Sequence, residues 1–284
     1  MGSQIDARDS LRAKAHGENF PVASRVLPRG LREKLLAVYA FARLTDDLGD
    51  EAEGDRLAQL DRLEAELDRA VAGTSTHPVL RDLAAVLPGL DVGIQPFRDL
   101  IEANRQDQRV TSYATFEDLV GYCMLSAAPV GRIVLSAFGA TSPERTALAD
   151  QVCIGLQLVE HLQDLGEDAA QGRVYMPADD MAAVHCQTSD LLAAHASEPV
   201  RELVALEGGR VRALLASGTP LATSLPLRPR LAVVGFAAGG FAALDAIERA
   251  RGDVLSAPRR PSAFGLARRS MGGLVATIRE RKPT

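Results

Sequence analysis

The chain contains no tryptophan, and only four tyrosines and eight phenylalanines among its 284 residues. Strands favour aromatic and β-branched side chains, so a chain short of aromatics and rich in Ala, Leu, Arg and Glu is expected to fold as helices. Cysteine is scarce as well. Cys123, Cys153 and Cys186 are odd in number, widely spaced and without a Cys-x-x-Cys pair, which argues against a disulfide framework or a zinc knuckle and fits a reducing cytoplasm. The opening "MGSQIDARDSLRAKAHGENF" has no apolar signal region. The longest apolar run, "LAVVGFAAGGFAAL" from Leu231, is about 14 residues against the roughly 20 that span a bilayer. The expectation is a protein that does not cross a membrane. Internal repeats and low-complexity linkers are absent, and no glycine-rich dinucleotide fingerprint follows a strand.

What is present is apolar and helix-patterned. With 46% hydrophobic residues, the chain can bury a large core as one big domain or two small ones, and helices apolar most of the way round favour a single all-α bundle over residues 1–284. Short Pro and Gly clusters punctuate it, among them "LPRG" at 27–30, "AGTSTHP" at 72–78, "LPGLDVGIQP" at 87–96, "GATSPE" at 139–144 and "GRVYMP" at 172–177. Between them, "LREKLLAVYAFARL", "DQVCIGLQLVEHLQDL" and "LAVVGFAAGGFAALDAIERA" repeat apolar residues at intervals of three and four. The net charge of −5 is uneven. From Pro258 onward seven Arg or Lys residues face the single acid Glu280, so the tail carries +6 and the rest −11. That basic tail could face anionic lipid or be a solvated end helix, while the acidic body makes nucleic acid an unsuitable partner.

Two acidic stretches carry the chemistry. "FARLTDDLGDE", residues 41–51, places Tyr39, Arg43, Asp46 or Asp47, and Asp50 along one helix face at intervals of three and four. Four acids at a helix C-terminus oppose the helix dipole unless a cation compensates. The plain alternative is a solvated helix end with an Arg43–Asp47 pair. "GLQLVEHLQDLGEDAAQGRVYMP", residues 155–177, repeats the pattern with Gln157, Glu160, Asp164 and Asp168. Carboxylates without His or Cys beside them suit a hard ion such as Mg²⁺, held by one or two carboxylates together with substrate phosphates. Two facing stripes would clamp a diphosphate, whose departure from carbon requires its growing negative charge to be neutralised.

These two stretches, about 118 residues apart, resemble the paired aspartate-rich motifs of the squalene and phytoene synthase family. The likeness extends through "HGENFPVASRVLP" at 16–28, "YCMLSAAPVGRIVL" at 122–135 and "GGFAALDAIERARGDVL" at 239–255. It implies an all-α isoprenoid synthase fold acting on prenyl diphosphates with Mg²⁺. Within the family, "ENFPVAS" and "YCMLSAAPVG" look most like the bacterial hydroxysqualene synthases of hopanoid and squalene biosynthesis, which convert presqualene diphosphate to hydroxysqualene. The resemblance assigns metal binding to Asp46, Asp47, Asp50, Asp164 and Asp168. It gives catalytic roles to Tyr39, Arg43 and Tyr175, and substrate contacts to His16, Asn19, Phe20, Gln157, Glu160 and Arg173. Pathway enzymes and a peripheral membrane contact at the inner face are the implied partners of a cytoplasmic enzyme.

The chain departs from the wider family pattern at Glu160, where many condensing members carry Asn, and at Met124 and Leu125, near which many carry Tyr. Those departures count against condensation of two prenyl diphosphates to presqualene diphosphate, squalene or a phytoene-like product, which stands as the alternative reading. A third alternative, a non-enzymatic assembly factor of the same fold, has no need for two intact acidic stripes. The missing dinucleotide fingerprint fits a non-reductive last step, although related squalene synthases use NADPH without one.

Overall fold

A computed structural model of the chain describes residues 28–256. His16, Asn19, Phe20 and the basic tail lie outside the described residues. Every regular element among the described residues is helical, and the one β-type pairing is an isolated parallel bridge between Ser112 and Val174. The all-α expectation is therefore met. The described chain gathers into two compact units. One takes the chain up to Gln108 and returns for Ile133–Thr141, and the other takes Arg109–Arg132 and continues from Ser142.

The first unit contains α1 (Arg29–Asp46), a π-helical turn (Asp47–Glu51), α2 (Arg56–Val71), α3 (Pro78–Val86) and α4 (Gln95–Asp107). On α2 the spacing Leu60, Leu63, Leu67, Ala70 makes one apolar stripe, and all four are buried. It packs against α3 and α4, where Leu80, Leu83, Phe97 and Ile101 are buried, and α3 and α4 in turn pack on α1 with its buried Leu35, Val38 and Phe41. Phe41 and Phe97 meet edge to face with ring centroids 5.4 Å apart, which anchors the C-terminal half of α1 onto the start of α4. Asp55 accepts from the Ala58 N–H and so caps the N-terminus of α2. The chain thus restarts as a helix after only the four residues 52–55 that follow the π turn.

The chain continues through α5 (Phe116–Ser126), α6 (Ala128–Ala137), α7 (Pro143–Gln163), α8 (Leu165–Ala170), α9 (Ala178–Ala183), α10 (Glu198–Gly218), α11 (Pro220–Ser224) and α12 (Leu227–Arg249). A reciprocal capping box between Thr115 and Asp118 starts α5. The second unit is built on α7, α10 and α12, whose backbones approach closely because glycines lie at their contacts. A methyl group at Gly155 of α7 would come within 2.8 Å of Leu215, and one at Gly240 of α12 within 2.9 Å of the same leucine. Phe116–Ala137 and Leu227–Arg249 are long and apolar enough by composition to cross a membrane, a length that the uninterrupted apolar run understates. Both contribute buried residues to the bundle, including Leu119, Ile133, Ala242 and Leu244. All three cysteines are free thiols. Burial pushes the Cys153 thiol up to about 12, with Asp150 beside it, so it stays protonated and poorly nucleophilic.

Candidate active site

The first acidic motif begins as regular helix and does not stay so. After Asp46 the backbone widens into the π turn Asp47–Glu51, so the even stripe expected from spacings of three and four is rephased at Asp50. One extra residue per turn is the mark of such a bulge, which recurs at functional sites. Gly49 is the buried residue of this turn. A Cβ there would overlap Asn104 Oδ1 of α4, so only glycine admits this approach.

Arg43 meets Asp47 with Nε 2.8 Å from Oδ1 and reaches Glu51 at 3.2 Å. The Arg43–Asp47 pair anticipated from the sequence is therefore real, and its oblique approach makes it an ion pair more than an aligned hydrogen bond. Asp46 sits differently. Asn104 Nδ2 donates to its Oδ1 at 3.4 Å, and its carboxyl is pushed up to about 6. Burial is the main cause; the Asn104 amide and Arg43 pull the other way, and the charges of Asp50 and Asp47 add to the rise. Tyr39, one turn before Arg43, is half-buried on α1.

In the second motif α7 ends at Gln163, and Asp164 leaves the helical region with φ −99° and ψ 11°. The unbroken helix expected over this stretch is therefore a kinked pair, α7 and α8. The kink keeps the backbone ladder on both sides, because Asp164 N–H donates to Glu160 O at 2.9 Å and Asp168 N–H to Asp164 O at 2.8 Å. Glu160, Asp164 and Asp168 consequently keep their one-turn spacing. Glu160 is reached by solvent yet crowded by protein, and burial followed by the Asp164 charge raises its carboxyl to about 7. Arginine pairing of Glu160 is absent among the described residues.

Gly172 ends α8 in the left-handed region at φ 80°. Its N–H donates to Ala169 O at 3.0 Å while Arg173 N–H donates to Asp168 O at 2.9 Å, the paired bonds of a Schellman cap. The Gly-Arg-x-Tyr-x-Pro segment is thereby tied to Asp168. Two residues on, Tyr175 is buried and stacks on His161 with centroids 3.8 Å apart and planes 17° from parallel. Gln157 Nε2 lies 3.4 Å from His161 Nε2, and His161 Nδ1 lies 3.9 Å from Asp168 Oδ2. One buried histidine therefore joins Gln157, Asp168 and Tyr175. Tyr113 and Tyr122 complete the aromatic cluster, their rings 6.0 and 5.7 Å from Tyr175.

Sequence reasoning missed Asn104, Gln108 and His161. For Asn104 and Gln108, the legible signal was their i, i+4 spacing at the C-terminal end of a polar, amphipathic helix. For His161 it was a lone imidazole embedded in the second motif. Among the described residues, no group of three or more His, Cys, Asp or Glu converges into a ready-made metal cage. The donor chemistry still suits a hard divalent cation, since both motifs offer carboxylate oxygens and Asp46 is crowded by like charge that a cation would relieve.

An all-helical chain with two aspartate-rich helix ends is the architecture of the isoprenoid synthases, and the comparison with known proteins agrees. The chain belongs to the squalene/phytoene synthase family, whose sequence profile matches residues 13–264. Hydroxysqualene synthase from Zymomonas mobilis is 36% identical over 218 residues, covering 75% of this chain and 73% of that protein. Phytoene synthase from Arthrospira platensis is 32% identical over 212 residues, covering 69% of each. The crystal structure of squalene synthase HpnC from Alicyclobacillus acidocaldarius superimposes with a TM-score of 0.79 at 44% identity, over 86% of this chain and 94% of that one.

Proposed function

We propose that the protein is a hydroxysqualene synthase that ionises presqualene diphosphate and captures the rearranged cation with water. The observation that carries this reading is the pair of helix-borne carboxylate sets, Asp46, Asp47 and Asp50 with Asp164 and Asp168, in a chain 36% identical to a hydroxysqualene synthase across most of its length. On this reading the aspartates hold Mg²⁺, which neutralises the departing diphosphate when bound. The residues 1–284 act as one catalytic domain. Arg43, already poised among carboxylates, lends a fixed positive charge, and Tyr39, Gln157, Glu160, Arg173 and Tyr175 line the substrate, joined by His16, Asn19 and Phe20. The carbon–oxygen bond breaks with its electron pair leaving on diphosphate. The resulting cyclopropylcarbinyl cation rearranges among the Ala-, Leu- and Val-rich helices, and a water oxygen bonds to carbon and loses a proton, giving hydroxysqualene and diphosphate. The protein works in the cytoplasm at the inner membrane face, in hopanoid or squalene biosynthesis, beside enzymes that supply and consume these lipids.

The likeness to phytoene synthase supports a second reading, condensation of two prenyl diphosphates. Incubating the purified protein with Mg²⁺ and presqualene diphosphate, or with farnesyl or geranylgeranyl diphosphate, with and without NADPH, decides between them. Hydroxysqualene carrying oxygen from ¹⁸O-labelled water, formed without NADPH, is the expected product. A C30 or C40 hydrocarbon or presqualene diphosphate made from the shorter substrates overturns the first reading in favour of the second.

A further inference from the structure

Helix α4 and the residue that caps its C-terminus present two side-chain amides, four residues apart, to the π turn of the first motif. Asn104 is buried, and its Nδ2 donates both to Asp46 Oδ1 at 3.4 Å and to Leu100 O at 3.2 Å. That pairing fixes the amide's orientation, because the reverse would set its oxygen against two acceptors. Its own oxygen occupies the space that a side chain at Gly49 would need. Gln108 Nε2 donates to Gly49 O at 3.0 Å and to Asn104 O at 3.1 Å. Where the helical ladder is rephased, a backbone carbonyl that loses regular partnership needs another donor. Gln108 supplies it.

We infer that Asn104 and Gln108 are positioning residues, a neutral amide bracket that fixes the Asp46 carboxylate and the π turn in the arrangement the diphosphate-binding cation requires. Neutrality matters here. A lysine or arginine in the place of Asn104 would neutralise Asp46 and compete with the cation, whereas an amide orients a carboxylate without spending its charge. The inference rests on the proposed function, since it concerns how the same carboxylates are held.

The test uses full-length protein and the variants Asn104→Leu and Gln108→Leu, with Mn²⁺ and inorganic diphosphate as probes. Bound Mn²⁺ is read by electron paramagnetic resonance, and the ligand-free thermal transition is measured separately. Both variants are expected to weaken Mn²⁺ binding in the presence of diphosphate by about tenfold, the size typical for removing a partner of a metal ligand. They should also raise the Mg²⁺ concentration needed for half-maximal turnover, with a smaller change in kcat at saturating Mg²⁺. A merely structural role would lower the ligand-free transition and leave Mn²⁺ affinity of the folded protein unchanged, and that result in both variants overturns the inference. Unaltered Mn²⁺ affinity with an unaltered transition overturns it too. Failure of the unsubstituted protein to bind Mn²⁺ with diphosphate removes the functional reading itself and the inference with it.

Discussion

Single carboxyl groups in this protein differ in what their protonation does. The Asp46 carboxylate is disfavoured first by the protein that crowds it and then by the charges of Asp50 and Asp47, so Asp46→Asn relieves both in the metal-free state. Its thermal transition should match or exceed that of the unsubstituted protein, while turnover falls by roughly 100-fold or more, because on the proposed function Asp46 holds the cation that meets the developing charge. Circular dichroism melting and Mg²⁺-dependent diphosphate release, measured together, check both halves. Near-normal activity at limiting Mg²⁺ would show that the metal is held elsewhere. Glu207 is a case of stability alone. It is 2% exposed, accepts from Arg210 Nη1 at 2.8 Å, and shares that arginine with Asp180 while the guanidinium lies 4.7 Å above the Phe116 ring. Burial, opposed by Arg210 and reinforced by Asp180, raises its carboxyl to about 7 from an ordinary 4.5. A carboxyl raised in the folded state favours folding fully below its unfolded value, and that contribution is lost as pH climbs through the folded value. Glu207→Gln cannot titrate. Its melting temperature should therefore fall less than that of the unsubstituted protein between about pH 5 and about pH 8. Parallel pH profiles for the two proteins would show that Glu207 is ionised throughout.

At the scale of elements, the contact of α7, α10 and α12 depends on residues that have almost no side chain. Gly155 and Gly240 both face Leu215, and Gly218 lies against Val152 and the Leu148 carbonyl. Gly155→Val should cost about 1–3 kcal/mol by forcing α7 and α10 apart, which lowers the melting temperature by roughly 2–12 °C for a chain of this size. A transition unchanged within one degree would mean that the helices can shift without loss. Most of these elements could be read from the sequence. The apolar spacing of "LREKLLAVYAFARL" and "DQVCIGLQLVEHLQDL" gave α1 and α7, and the Pro and Gly clusters fell at the breaks around residues 72–77, 87–94 and 171–177. The two departures share a cause. Spacing arguments assume 3.6 residues per turn, and the chain abandons that ratio at Asp47–Glu51 and bends at Asp164, within the carboxylate motifs themselves. The π turn is selected by the α4 amides that meet it, which are distant in sequence. No local pattern carries that information. The same holds for His161, whose place between Gln157, Asp168 and Tyr175 arises from the return of the chain after Gly172.

At the scale of the whole molecule, the charge is divided between an acidic body and a basic end. The seven cationic residues from Arg259 to Lys282 are interleaved with Phe264, Leu266, Met271, Leu274, Val275 and Ile278, a composition suited to an interfacial segment. Each Lys or Arg near an anionic surface adds about 1 kcal/mol of attraction. Full-length protein is expected to sediment with anionic vesicles at low salt and to leave them as salt rises, and truncation after Ala257 should abolish the binding. Indifference of the full-length protein to such vesicles at low salt would instead mean that the tail packs on its own body and that substrate arrives from a partner enzyme.

The lack of tryptophan has an optical consequence. Ultraviolet emission from this protein must come from tyrosine, and three of the four tyrosines, Tyr113, Tyr122 and Tyr175, sit within 6.0 Å of one another, centroid to centroid. Rings that close exchange excitation readily, so their emission behaves as one signal, and the imidazole stacked on Tyr175 is its nearest quencher. Because His161 also lies beside Asp168, the native protein carries an unlabelled fluorescent reporter next to its second acidic motif. A ligand bound at that motif, as the proposed function requires, is expected to change this emission, and a titration with Mg²⁺ and inorganic diphosphate read at the tyrosine wavelength checks it without a dye, a tag or an introduced residue.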